Sequence, residues 1–393
     1  MMPTENLPTQ WQILLRSLLI FLIWRCSLYL LTFFGLHLTE EFDFEKYGYA
    51  EGVINAGKEW QAFPNHYFFD SFFRFDSTWF DSIIRGGYSI QDYQSNVAFF
   101  PLYPYLSRWF GYVIGNHFLA GWLISNLSLI GSIFYIYRIG LLYFKAKTVK
   151  RALVLLLIFP TSFFLSAFYS EALFLFTSAA SFYYFLTQRY SWAGILGMLA
   201  SLTRFSGILL FFAFISDIAY YCWKGKQKLH LEMIFLTLIP AGVVIFMLIL
   251  YVQVGNPLAF INAQSSWGRE KTYPLLTLIK TLNEINFQFP REPNNTFLLF
   301  DWLSAVGFLA ISSIMAFKKY RFSLWIYAAF SILLPLSTGT LLSMMRFCAV
   351  VFPVFFFIAE MARKPLVYQY LIFTFTFLLS IYNLRFMNWF LMI

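Results

Sequence analysis

Asp76 is the residue of this chain to which chemistry is most readily assigned. It lies in Phe72-Phe-Arg-Phe-Asp76-Ser-Thr-Trp79-Phe80-Asp81-Ser-Ile83-Ile-Arg85-Gly-Gly-Tyr88. A helix at about 100° per residue through this stretch sets Phe72, Trp79, Phe80 and Ile83 on one stripe with Asp76 in its middle, and Arg74, Thr78, Asp81 and Arg85 opposite. Arg85, one helical turn on from Asp81, gives that acid a partner. Asp76 has no such neighbour and is poorly solvated on an apolar face. Two compatible readings follow: an N-cap accepting backbone N–H bonds at the start of Ser77-Thr78-Trp79-Phe80, or a general base in a membrane-surface cleft, taking the proton of an attacking hydroxyl.

Two arginines could serve an anion beside it. Arg346 sits inside the apolar run from Leu341 to Pro353, where an unpaired cation costs roughly 2.5 kcal/mol or more. Arg204 ends a short apolar helix, where it could snorkel or complement the helix dipole. Guanidinium also grips phosphate through paired hydrogen bonds. Glu171 follows Ser170, so it reads either as a first-turn residue behind a serine cap or as part of a cleft. Asp217 is expected to make a polar contact inside the bundle, and Asp301 to be exposed to the headgroup region. His37, His66, His117 and His230 lack metal-ligand spacing, so neither a metal site nor a cofactor is expected. Serine-nucleophile motifs and glycine-rich phosphate loops are missing, which argues against serine-hydrolase and nucleotide-driven chemistry.

The elements that must hold these residues are membrane helices. The 393 residues are 60% hydrophobic, 22% aromatic and 12% charged, far more apolar than a soluble domain. An all-α polytopic membrane protein of one domain, 1–393, is expected, with about eleven crossings (ten to thirteen) at 11–36, 117–144, 152–169, 171–187, 191–205, 207–223, 231–254, 297–317, 322–339, 341–361 and 366–390. The first run is too long for a signal-peptide core and lacks a small-residue cleavage pattern, so it is expected to remain as a span. Residues 97–115 read as half-inserted or re-entrant. The short helices around 191–223 meet at Arg204-Phe-Ser-Gly207, and broken helices at depth usually line a cavity.

Cys26, Cys222 and Cys348 lie in apolar runs and are expected to be buried structural residues. The net charge of +9 is concentrated in acid-free runs at 145–151, 224–228, 318–321 and 363–364, which the positive-inside rule places in the cytoplasm. Such runs suit anionic lipid, not nucleic acid. The loops 37–96, carrying amphipathic juxtamembrane helices and ten of nineteen acidic residues, and 255–296 then fall on the outer face.

Several blocks together resemble the phosphatidylinositol-glycan class V mannosyltransferase family, which adds the second mannose in GPI-anchor assembly and has bacterial relatives. They are Phe75-Asp76-Ser-Thr-Trp79-Phe with Gly87-Tyr88, Asn96-Val-Ala-Phe-Phe-Pro-Leu-Tyr103-Pro104, and Phe159-Pro-Thr-Ser-Phe-Phe-Leu-Ser-Ala-Phe-Tyr-Ser-Glu171-Ala-Leu-Phe. Leu202-Thr-Arg204-Phe-Ser-Gly207, Trp267-Gly-Arg269 and Ser343-Met-Met-Arg346-Phe with Phe352-Pro353 continue the series in the family's order across most of the chain. The chain departs at Phe75, where the family usually has Trp, at Phe205, where it has Pro, and at Met345, where it has Gly. Membership would imply the C-type glycosyltransferase superfamily: multi-span helical enzymes that take sugar from a polyprenyl phosphate on the outer face, using an aspartate of the first outer loop as base in an inverting transfer.

The expected function is therefore hexosyl transfer, mannosyl first, from a polyprenyl- or dolichyl-phosphate sugar to a lipid-linked or glycan acceptor. Asp76 is the expected base, and Arg204 and Arg346 the expected donor-phosphate ligands. Glu171, Trp267, Arg269, Trp79 and Tyr103 are expected to line the substrate cleft. A lipid-linked sugar translocase that makes no bond is the alternative, although its usual internal repeats are not visible. A structural partner in a larger complex would leave the placement of Asp76 unexplained. The absence of retention signals or long tails points to a bacterial plasma membrane, or the endoplasmic reticulum membrane if the source is eukaryotic.

Overall fold

The computed structural model describes residues 8–39, 61–63, 65–90, 95–285, 293–318 and 320–390. Lys319, Asp92 and the acidic stretch 40–60 of the first loop lie outside them, as do residues 286–292 of the second. The chain is all-helical, with 78% helix and no strand among the described residues. Among the described residues six helices are long and apolar enough to cross a membrane: Gln10–Leu38, His117–Tyr143, Phe205–Trp223, Leu231–Val254, Phe297–Ala316 and Pro365–Met387. Two of them begin at sequence-encoded caps. Thr9 forms a reciprocal capping box with Gln12, and the Asn116 side chain accepts from the Leu119 amide at 3.0 Å. Leu15, Leu19, Leu22 and Leu30 stay exposed along the first helix, as a lipid-facing surface requires.

These six stand against the expected eleven or so crossings; the other apolar runs are short or broken. Residues 152–169 do not form one helix: Ala146–Leu157 ends before Pro160, and only a 3₁₀ turn, Ser162–Leu165, follows. Residues 341–361 are likewise divided into Met344–Ala349 and Phe352–Met361, the second with proline in its first turn. Glu171–Leu186, Tyr190–Thr203 and Phe322–Leu336 hold 16, 14 and 15 residues, short of the ~20 that a crossing needs. Leu102–Ile114, the helix inside 97–115, has 13 and is not one of the six.

The breaks cluster where Arg204, Glu171 and Arg346 sit. Arg204 is extended (φ −154°, ψ 146°) between Tyr190–Thr203 and the 3₁₀ turn Phe205–Ile208. Gly207 lets that turn lie on the preceding helix. A Cβ there would stand 2.4 Å from the Ala200 carbonyl carbon and the Ser201 nitrogen, both backbone atoms with little room to yield. Gly207→Ala is therefore expected to lower stability by about 1–3 kcal/mol through overpacking. Thermal unfolding in detergent reads this, and an unchanged midpoint would contradict the close approach.

Candidate active site

A cavity of about 1100 Å³ opens at the breaks, and Asp76, Trp79, Tyr169, Arg204, Trp267, Arg269 and Arg346 line it. Asp76 reaches the cavity through a turn that the helical wheel does not describe. The helix starts at Ser77, after Phe75 in the left-handed region (φ 52°), so Phe72 and Arg74 are not part of its faces. Arg74 is buried instead of solvated: it pairs with Asp70 at 2.5 Å and donates to the Met387 carbonyl at 3.3 Å, tying the turn to the C-terminal helix. Asp81 does meet Arg85, at 2.8 Å, and also His117, at 2.8 Å.

Asp76 occupies the N-cap position but makes no side-chain cap bond. Its carboxylate pairs with Arg346, Nη1 to Oδ2 at 2.6 Å. Arg346 in turn donates through Nε to Glu171 Oε1, and Arg204 Nη1 reaches that same oxygen at 2.5 Å. The result is an alternating chain, Asp76–Arg346–Glu171–Arg204, that places the two outer members on one cavity. Glu171 itself is 1% exposed and does not line the cavity. This corrects the expectation of a cleft residue: Glu171 sits behind the arginines and holds them together. The serine-cap reading fails too, because the Ser170 side chain makes no cap bond.

Arg346 is held equally firmly from its backbone. The amide of Met345 donates to Asp301 Oδ1 at 2.6 Å, and the Met345 carbonyl accepts from Thr161 Oγ1 at 3.0 Å. Asp301 is buried, not exposed to headgroups. The short helix it supports begins at Ser343, again left-handed (φ 63°). Of the four non-glycine residues with positive φ among the described residues, Phe75, Ser343 and Trp389 all line this cavity. Backbone strain of this kind collects at functional sites, where surrounding structure enforces it.

A third guanidinium completes the wall. Gly268, left-handed at φ 63°, turns the chain so that Arg269 faces inward, where Nη1 donates to Gln264 Oε1 at 2.9 Å. Burial lowers the Arg269 pKa; the Asp76 carboxylate opposes that shift, while Arg204 and Arg346 add to it. The Phe347 ring lies between two of these cations, 5.4 Å from Arg204 and 5.6 Å from Arg269. With Lys271, Glu270 and the buried Glu171 included, four basic groups face three carboxylates, so the cavity wall favours an anion. The segment carrying Arg269 is tied across the opening by the Glu270 and Thr272 amides, which donate to Thr338 and Ser337 carbonyls at 2.9 and 3.0 Å.

Trp79 and Trp267 meet edge to face at 6.2 Å, and both pack on Phe99, at 6.2 and 6.1 Å. This aromatic wall adjoins Asp76. Tyr103 is not part of it. Fully buried, Tyr103 donates to the Gly121 carbonyl at 3.0 Å, with the Ser125 oxygen 3.1 Å from its hydroxyl, so it joins two helices instead of lining a cleft. Asp217 makes the expected internal contact, with Arg321 at 2.8 Å and the Ser323 amide at 2.9 Å. Of the cysteines only Cys348 is buried; Cys26 is exposed and Cys222 half-buried. Among the described residues no group of three His, Cys, Asp or Glu side chains is placed to hold a metal.

Comparison with protein-family models, with curated proteins and with solved structures returns no match to this chain.

Proposed function

We propose that the chain is an integral-membrane glycosyltransferase, transferring a hexose, mannose first among candidates, from a polyprenyl-phosphate sugar to a lipid-linked or glycan acceptor. The observation that carries this reading is the alternating chain Asp76–Arg346–Glu171–Arg204 on one cavity, with Arg269 opposite. Asp76 accepts the proton of the acceptor hydroxyl as its oxygen attacks the anomeric carbon from the face opposite the phosphate. The anomeric C–O bond breaks, and its electron pair leaves on the lipid phosphate. Arg204 and Arg346 hold that phosphate and offset the charge growing on it, an electrostatic contribution that can reach several kcal/mol. Arg346 is also the partner of Asp76. An incoming phosphate competes for that guanidinium, and loosening of the pair frees the carboxylate to act as a base.

The aromatic wall fits the same reading. The C–H faces of a pyranose ring are apolar and electropositive, and they suit aromatic π-faces. Trp267 lines the cavity, while its ring N–H is buried without a hydrogen-bond partner among the described residues, so the ring itself is what it offers a sugar. Trp267→Ala is expected to raise KM for a glycoside acceptor by up to about tenfold, from an interaction worth about 1.4 kcal/mol. Steady-state kinetics at fixed donor reads this, and an unchanged KM removes Trp267 from the acceptor subsite.

The reaction itself is tested with purified protein, radiolabelled polyprenyl-phospho-mannose and a glycolipid acceptor mixture. Labelled glycolipid is the expected product. Movement of labelled donor across liposomes without any transfer would favour a translocase and overturn the proposal. An outer or luminal active site, as in a bacterial plasma membrane, is part of the same reading and is tested by labelling a cysteine introduced at the exposed Tyr273 from each side of sealed vesicles.

A further inference from the structure

Tyr169 is buried beside the catalytic turn, and three observations converge on it. Its hydroxyl accepts from the Asp76 amide at 3.1 Å and donates to the Arg74 carbonyl at 2.8 Å. These two groups belong to the peptide units on either side of Phe75, the bulky residue with φ 52°. That conformation costs a non-glycine residue roughly 1–2 kcal/mol. One hydroxyl thus clamps both flanks of the strained residue that aims Asp76 into the cavity. The aromatic ring has a second role. Its face lies 4.6 Å from the Arg346 guanidinium, the group paired with the Asp76 carboxylate.

The clamp is itself anchored. Ser125 Oγ donates to the Tyr169 carbonyl at 3.0 Å, Ser77 Oγ donates to the Phe168 carbonyl at 3.2 Å, and the Phe168 amide donates to the Phe72 carbonyl at 3.2 Å. Segment 168–169 therefore holds the Asp76 turn from both ends, and two residues later the same chain carries Glu171, which holds Arg346 and Arg204. Geometry of the base and of the phosphate ligands is set through one short stretch.

We propose that Tyr169 is a positioning residue: its hydroxyl holds the strained Phe75 turn so that Asp76 meets the acceptor hydroxyl, while its ring seats Arg346. This rests on the reading of Asp76 as the base. Tyr169→Phe removes the hydroxyl and keeps the ring, so the two roles separate. Transfer by the variant should lose on the order of 10- to 100-fold in kcat, as expected for a misplaced catalytic group, with donor KM within about twofold because Arg346 keeps its ring contact. Backbone amides of 74–78 should exchange hydrogen faster than in wild type, while exchange in the Leu209–Trp223 helix stays the same.

A wild-type protein without transfer activity overturns the glycosyl-transfer reading and this proposal with it. An active wild type whose Tyr169→Phe variant keeps kcat, or whose amide exchange at 74–78 is unchanged, overturns the positioning role alone. Equal losses in kcat and donor affinity with faster exchange throughout the chain also overturn it, since they mark general loosening.

Discussion

Replacing Asp76 with Asn is expected to lower sugar transfer by about 10³-fold, within the 10²–10⁴ range that a positioned general base contributes. An amide of the same size accepts no proton at neutral pH, so the acceptor hydroxyl must lose its proton to water. The variant should remain folded. Asp76 makes no side-chain cap bond, so its helix start does not depend on the carboxylate, and Arg346 keeps Glu171 as a buried countercharge. The Asp76 and Arg346 side chains are 19% and 13% exposed, so the pair is largely removed from water and losing its anion costs stability, limited because the Asn oxygen still accepts from Arg346 and Glu171 still balances its charge. The thermal midpoint of Asp76→Asn is thus expected to fall less than that of Glu171→Gln while kcat collapses. Asp76→Glu restores the charge one methylene further out and should recover part of the rate. Full transfer by the Asn variant would remove Asp76 as the base, whatever the fate of Arg204 and Arg346.

The long spans were legible because twenty or more apolar residues in water have no alternative to burial in lipid or protein. The breaks beside them were harder to read. In 152–169 and 341–361 the hydrophobic run is continuous, and only Pro160 and Pro353 mark where the helix ladder must fail. Arg204 and Arg346 were legible from the cost of a cation in an apolar run and from the grip of guanidinium on phosphate, whereas Trp267 and Arg269 rested on the family resemblance and Trp79 on its place in an aromatic stripe; all five line the cavity. Tyr103 was not legible: a tyrosine between prolines says nothing about whether its hydroxyl faces a cleft or joins helices. Glu171 was found but misplaced, since a carboxylate behind two arginines and one in front of them look alike in sequence. The roles of Asp301 and Thr161 on Met345, and of Tyr169 on the Asp76 turn, depend on contacts between segments far apart in the chain. Local pattern carries no record of those. Phe75 is the plainest case, because no propensity assigns a left-handed backbone to phenylalanine; packing on Phe386 and Trp389 at 5.7 and 5.3 Å accompanies it.

Glu171→Gln is expected to act in the opposite order, on stability before catalysis. The wild-type carboxylate is buried and shared by two guanidinium groups, both largely removed from water. Removing one partner of a buried charge group typically costs about 3–5 kcal/mol, because the charges left behind remain desolvated. A Gln oxygen accepts from one arginine but brings an N–H₂ towards the other, and Arg204, Arg269 and Arg346 then share a cavity with one fewer anion. Thermal unfolding in detergent should fall by several degrees. If the arginines form one phosphate site, a short-chain polyprenyl phosphate should raise the variant's midpoint more than the wild type's, since bound anion replaces the lost charge and stabilises the folded state in proportion to its affinity. Inorganic phosphate at the same concentration separates headgroup recognition from binding of the lipid tail. A variant as stable as wild type would mean that Glu171 is not the counterion of the pair; a destabilised variant indifferent to both phosphates would mean that Arg204 and Arg346 do not converge on an anion.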